Sequence, residues 1–201
     1  MGLKVVPANL LSDEWFRKLA HFARLLDRVK DVEGDAVECG VAEGKTFAII
    51  ASLVRSSGQD RCVWGFDSWD DPSARSADDG SGDRTIVLRG ATIEEVRLRL
   101  RQMGFDDLSG IMLVKGDLAE TLANAPERIA LAHLNVQFDE PYRICFESLW
   151  PRVESGGIVA LGGNKLVTTK AVEEFVSKIP RKDARIESDP AWQHRRFIVK
   201  S

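Results

Sequence analysis

Short apolar runs alternate along this chain with longer stretches whose apolar positions recur at helical spacing. Ser12 can cap a helix whose first turn carries Asp13 and Glu14, and Trp15, Leu19, Phe22, Leu26 and Val29 mark one face of it through about Lys30. His21, beside that stripe, reads as structural or surface. Val37 to Val41 reads as a buried strand, with Gly40 and Gly44 bracketing the turn after it. A helix follows from Lys45, its apolar face built by Phe47, Ile49, Ile50, Leu53 and Val54. The run from Cys62 is a second strand that ends in Asp67, and the polar, acidic stretch after it has no hydrophobic period and reads as a loop. Thr92 and Glu95 form a capping box for a helix with Val96, Leu100 and Met103 inside. Three more strands are predicted over 111–115, 129–136 and 158–161, with helices near 140–153 and 170–178. Two closing strands, near 184–188 and 195–200, flank a turn at Pro190.

Strands that alternate with helices form a parallel sheet covered on both faces, because each crossover helix must lie back on the sheet. The expectation is therefore a Rossmann-like α/β fold, a mostly parallel seven-stranded sheet with helices on both faces and one antiparallel edge strand. It occupies a single domain, 1–201, with residues 1–33 as an N-terminal helical segment packed on it.

Composition narrows the function. A net charge of -3 gives no global basic field, so no nucleic-acid partner is expected. Cys39, Cys62 and Cys145 lie far apart without a C-x-x-C pair, which favours buried reduced thiols. The chain has no apolar run of membrane-spanning length and no signal-peptide pattern, so a cytoplasmic location and no membrane are expected.

The candidate chemistry sits where the first two strands end. A strand, a glycine turn and a helix N-terminus place free N–H groups toward a ligand, and Gly40 would let that ligand approach the backbone. The spacing Gly40-x-x-x-Gly44 is not the dinucleotide fingerprint G-x-G-x-x-G, which counts against a dinucleotide-dependent enzyme. Glu38 inside the strand suits a cationic group such as an ammonium or a sulfonium. Asp67, closing the second strand, suits the two ribose hydroxyls. Gly116 and Asp117 at the third strand end offer close backbone approach and an acceptor for an adenine amino group. S-adenosylmethionine answers to that description.

Gly34-Asp-Ala-Val-Glu-Cys-Gly-Val-x-x-Gly44, Phe66-Asp-Ser-Trp69, Gly116-Asp-Leu-Ala-Glu-Thr-Leu122 and Leu149-Trp-Pro-Arg-Val-x-x-Gly-Gly157 occur in this order. In order and approximate spacing they resemble the macrocin O-methyltransferase (TylF-like) family, over roughly residues 15 to 176. The resemblance implies the class I methyltransferase fold, S-adenosylmethionine as cofactor, and methylation of hydroxyls on a small hydroxylated or sugar-like acceptor with help from a divalent metal. By position, Glu38, Gly40, Val41, Ala42 and Gly44 would hold the methionine end, Asp67 and Ser68 the ribose, and Asp117 with Leu118 the adenine. Gly116, Thr46 and Asn135 complete the expected cofactor set. A homodimer stays open.

The departures matter equally. Where the family reads Asp-x-Asp-Leu-Tyr-Glu after the fourth strand, this chain reads Asn135-Val-Gln-Phe-Asp-Glu140, and where it reads Asp-Asp-Tyr after the fifth, this chain reads Gly162-Gly-Asn164. The family's carboxylates there bind its metal, and a Mg²⁺ site wants one or two of them. No metal site of the family's kind is therefore expected, and Asn135→Asp with Gly162→Asp should restore one. Without metal, a hydroxyl nucleophile needs a base. Asp139, His133 or Asp70 could serve, His133 having a core role as its alternative reading and Asp139 a helix-terminal one. A second reading of the whole chain is a catalytically degenerate protein of this fold that binds S-adenosylmethionine or a protein partner without turnover.

Overall fold

The structure, a computed structural model, describes residues 12–69, 91–162, 172–180 and 182–201. The loop expected after Asp67 lies largely outside the described residues, as do Asp70, Gly163 and Asn164. Ser12 accepts the Trp15 amide and starts α1 (Asp13–Arg28), as the acidic first turn predicts. There follow β1 (Asp35–Cys39), α2 (Lys45–Ser57), β2 (Val63–Asp67), α3 (Ile93–Gln102) and β3 (Ile111–Lys115). After a short α4 (Leu118–Thr121) come β4 (Ile129–Leu134), α5 (Asp139–Leu149) and β5 (Val153–Leu161). Residues 172–177 are helical, and β6 (Ala184–Asp189) and β7 (Trp192–Lys200) close the chain. The box at Thr92 and Glu95 is formed reciprocally. The α5 helix stops earlier than its apolar period suggests, because Pro151 lacks the N–H that the next turn would need and a 3₁₀ turn, Trp150–Arg152, takes over.

The seven strands lie in the order β3-β2-β1-β4-β5-β7-β6. The five central crossover strands are parallel, and the antiparallel edge is a hairpin in which β7 runs between β5 and the outermost β6, antiparallel to both. Strand alternation sorts the core into two layers. Ala36, Val63, Leu131, Ile158 and Phe197 face α1, α2 and α3, whereas Val37, Phe66, Ala132, Val159 and Ile198 face α5 and the 172–177 helix. Each fully buried side chain of the size of Phe47 or Phe146 contributes about 1.5–3 kcal/mol. Cys39 and Cys145 are buried free thiols, as expected, while Cys62 is half-buried. No helix among the described residues is long and apolar enough to cross a membrane.

The strand order reverses between β1 and β4, where connections leave toward opposite sides. At such a switch point the carboxyl ends of neighbouring strands open a crevice. Both β1 and β4 end sooner than the apolar runs imply, at Cys39 and Leu134, which leaves Gly40, Val41, Asn135 and Val136 in the turns above the sheet.

Candidate functional site

Two glycines shape the turn above β1. Gly40 has φ +83° and Gly44 φ +77°, a region that costs side-chain-bearing residues about 1–2 kcal/mol. A Cβ on Gly40 would lie 2.5 Å from the Asn135 carbonyl oxygen, and one on Gly44 2.9 Å from Val96 Cγ1. In this turn the absence of a side chain at Gly40 makes room for the end of β4. Gly44 is the left-handed N-cap of α2 and provides no side-chain cap, so the first turn's amides have no capping oxygen from it.

Asp67 holds the rim of this turn. Among the described residues, Ala42 (φ +48°) and Trp69 (φ +42°) are the non-glycine residues in the left-handed region. Ala42 donates its amide to Asp67 Oδ2 at 2.7 Å, Trp69 donates its own to Oδ1 at 3.0 Å, and Trp69 Nε1 donates to the Ala42 carbonyl at 3.2 Å. Charge-assisted hydrogen bonds of this kind offset the backbone strain. Each carboxylate oxygen keeps a further lone pair, and the half-buried Asp67 side chain and neighbouring Ser68 remain reachable.

Glu38 departs from its expected role. Its side chain is fully buried, so it has no surface to offer a cofactor's ammonium. Parallel pairing of β1 and β4 puts Glu38 opposite His133 on one face of the sheet, and His133 Nδ1 lies 2.9 Å from Glu38 Oε1. Burial, and then the charge of Asp67, push the Glu38 carboxyl well above the usual carboxylate range. Burial, and then the Arg195 cation, hold the His133 imidazole well below its usual value. Glu38 Oε2 has no hydrogen-bond partner among the described residues.

The remaining expected cofactor residues collect along the same carboxyl edge. Val41 packs into the core, Ala42 is exposed, and Thr46 lies nearly buried in the first turn of α2. Gly116 has φ +147°, and Asp117 caps α4 by accepting the Ala119 amide, an ordinary local role that leaves it exposed next to half-buried Leu118. Asn135 bridges inward, donating Nδ2 to the Gly40 carbonyl at 3.1 Å.

Asn135 and Gly162 follow β4 and β5 side by side with His133. A Cβ on Gly162 would stand 2.7 Å from His133 Nε2 and 2.9 Å from Asn135 Oδ1. The imidazole thus fills the place into which an aspartate there would project, and the Tyr142 hydroxyl of α5 donates to the Gly162 carbonyl. For Asn135→Asp with Gly162→Asp to restore a metal site, the His133 ring would have to shift to admit the second side chain. No group of three or more His, Cys, Asp or Glu among the described residues is arranged to hold a metal ion. His133 and Asp139, the candidate bases among the described residues, are kept apart. His133 lines a cavity under α1, whereas Asp139 is exposed in the first turn of α5 and faces a groove between α5 and the 172–177 helix.

The sequence reading missed that cavity under α1. Its walls include Lys18, His21 and Phe22 of α1 and Trp192 and Arg195 of β7, beside Thr46, His133 and Asn135. His21 is buried rather than at the surface, its Nδ1 2.7 Å from Asp189 Oδ2, and Arg24 donates to both oxygens of the same carboxylate. A histidine and an arginine one helical turn apart on α1 were a visible signal; their partner 165 or more residues away was not.

The chain matches the family model of the macrocin-O-methyltransferases (TylF) over residues 15–191. Among solved structures it is similar to the O-methyltransferase NovP, with a TM-score of 0.76 at 22% identity over 92% of this chain and 80% of that one. It is also similar to CalS11, described as a TDP-rhamnose 3'-O-methyltransferase of calicheamicin biosynthesis, with a TM-score of 0.71 at 23% identity over 98% and 87%. A third likeness is to the SAH-bound methyltransferase PaMTH1 of Podospora anserina, with a TM-score of 0.61 at 12% identity over 98% and 83%. No curated protein sequence matches it. At such identities the structural likenesses establish the class I methyltransferase fold, and the family match establishes the kinship: the chain belongs to the macrocin-O-methyltransferase (TylF) family.

Proposed function

We propose that this protein transfers a methyl group from S-adenosylmethionine to a hydroxyl of a small hydroxylated or sugar-like acceptor, without a metal ion. The observation that carries the reading is the Asp67 clamp: an acidic strand end gripping the turn above β1, beside the open first turn of α2. Gly40, Ala42 and Thr46 would border the methionine end, Asp67 and Ser68 the ribose, and Gly116, Asp117 and Leu118 the adenine, with Asn135 fixing the turn through Gly40. The acceptor class is supported by the likeness to CalS11, a TDP-rhamnose 3'-O-methyltransferase.

When bound, the cofactor supplies an electrophilic methyl on a sulfonium, which leaves as a neutral thioether once the acceptor oxygen has taken the methyl. What the chain must add is position and a place for the hydroxyl proton. His133 is the better placed of the two expected bases. Its Nδ1 is fixed by Glu38, as a base is fixed by an orienting carboxylate, and its Nε2 is directed toward Asn135 and Gly162 at the strand ends. Burial, and then the Arg195 cation, lower the imidazole's proton affinity, so its taking a proton depends on ionised Glu38 beside it. A hydroxyl proton would pass to Nε2, and an ionised Glu38 would stabilise the imidazolium. The residues at the family's metal position do not suit a metal, since Asn135 and Gly162 bring no carboxylate and His133 occupies the space between them.

The test is calorimetry with S-adenosylmethionine and S-adenosylhomocysteine, with and without Mg²⁺, followed by turnover on sugar acceptors. Micromolar binding that ignores Mg²⁺ is expected, and absence of binding by either ligand would end this reading. The degenerate alternative draws on the same missing carboxylates, and binding without turnover on any acceptor would favour it.

A further inference from the structure

We infer that the cavity between α1 and the ends of β4, β5 and β7 is a subsite for one carboxylate-sized oxyanion, gripped by Arg195 and Lys18. Its free volume of about 30 Å³ is room for about two waters, hence for a single small group rather than a sugar ring. The Arg195 guanidinium is half-buried and lies over the Trp192 ring, 4.6 Å from its centroid. Among the described residues no carboxylate forms an ion pair with it. Burial draws its proton affinity down against the opposing pull of Glu14 and Tyr142.

Carboxylates near the cavity are already engaged. Asp189 is held by Arg24 and His21, and Glu38 by His133. Glu14 lies 2.9 Å from Lys18 Nζ with its side chain 67% exposed, so it sits at the rim, where an arriving anion can share Lys18. The other walls are neutral: Thr46, Asn135, and two imidazoles that burial keeps uncharged. A planar guanidinium and an ammonium converging on a small polar cavity make a receptor for a carboxylate. That this oxyanion belongs to a reactant rests on the methyltransferase reading, under which it has two sources: the amino-acid carboxylate of the cofactor, or an acid group on the acceptor.

The experiment is an NMR titration of the whole chain with sodium formate, against sodium chloride as ionic control, read at the Trp192 indole and the His21 and His133 rings. Formate should give saturable shifts that chloride does not. Arg195→Gln and Lys18→Gln should each weaken that binding about tenfold, the loss of one charge-assisted hydrogen bond. Lys18 is half-buried on α1 and, among the described residues, ion-paired only with exposed Glu14, so its variant tests the grip even if Arg195→Gln perturbs the fold. Shifts no larger than those of chloride, or wild-type affinity in both variants, would overturn the subsite. Two ligands identify the source. If formate competes with S-adenosylhomocysteine but not with 5'-methylthioadenosine, which lacks the amino-acid part, the carboxylate is the cofactor's. If formate still binds the S-adenosylhomocysteine-saturated protein, it is the acceptor's. Saturable formate binding without any S-adenosylhomocysteine binding would remove the methyltransferase reading and leave the subsite standing; the reverse pattern would remove the subsite alone.

Discussion

The ends of β1 and β2 and the ends of β4 and β5 form two halves of one crevice, and they have been treated differently. In the first half the backbone does the shaping: left-handed residues at 40, 42, 44 and 69, tied together by Asp67. In the second, side chains do it: His133 backed by Glu38, and Asn135 reaching to Gly40. A half shaped by backbone tolerates little change, because each glycine abuts a neighbouring strand or helix. A half shaped by side chains can change them while the strands beneath stay in register.

The largest effect should come from the second half. His133→Asn should lower turnover by about 10²–10⁴-fold, the usual worth of a general base, with S-adenosylhomocysteine affinity unchanged in calorimetry. Wild-type turnover should climb with pH, since Glu38 must shed its proton before it can accept one from Nδ1–H, and its carboxyl is pushed up by burial and by Asp67. A flat pH profile, or equal turnover in the variant, would remove His133 from the chemistry.

Next come the two glycines as a pair. Gly40→Ala places a Cβ 2.5 Å from backbone in a left-handed conformation and should cost roughly 3 kcal/mol in denaturant unfolding. Gly162→Ala meets chiefly the side-chain ends of His133 and Asn135 and should cost about 1 kcal/mol, relieved when His133 is also made smaller. Equal costs would erase the distinction between the halves.

Asp67→Ala should weaken S-adenosylhomocysteine binding by about 1–3 kcal/mol, and it should also lower stability because Ala42 and Trp69 lose their acceptor. Unchanged affinity with lowered stability would leave Asp67 a structural clamp only.

The smallest effect expected is on acid stability, and it lies outside the crevice. Burial raises the Asp189 carboxyl, but hydrogen bonds from Arg24, His21 and the Ala191 amide outweigh that and bring it to about 2. A carboxylate depressed below its unfolded value of 3.8 stabilises above that pH, and the contribution is lost as pH falls from about 3.8 toward about 2. Replacing Asp189 with Asn should flatten the acid-unfolding curve in that window, as circular dichroism would show.

The fold and half of the site were legible because they are written in local patterns. Alternating apolar runs gave the strands, Ser12 and the Thr92–Glu95 box gave helix starts, and Gly40, Gly44 and Asp67 marked the crevice. What could not be read was register. That Glu38 and His133 lie side by side depends on how β1 and β4 align, and nothing within either strand states that alignment. Glu38 therefore looked like a ligand contact when it is a partner for a histidine. Arg195 and Lys18 were invisible for the same reason, being on elements at opposite ends of the chain.

That distance bears on how the molecule is made. Arg24, His21 and Arg28 of α1 are anchored to Asp189 and Glu187 of β6, 159 to 168 residues later. Contacts so far apart close late, after the loops between them have been ordered. The cavity roofed by α1 can therefore be completed only once the C-terminal hairpin has formed, so a nascent chain lacking β6 and β7 would carry a glycine turn and an acidic strand end but no finished chamber.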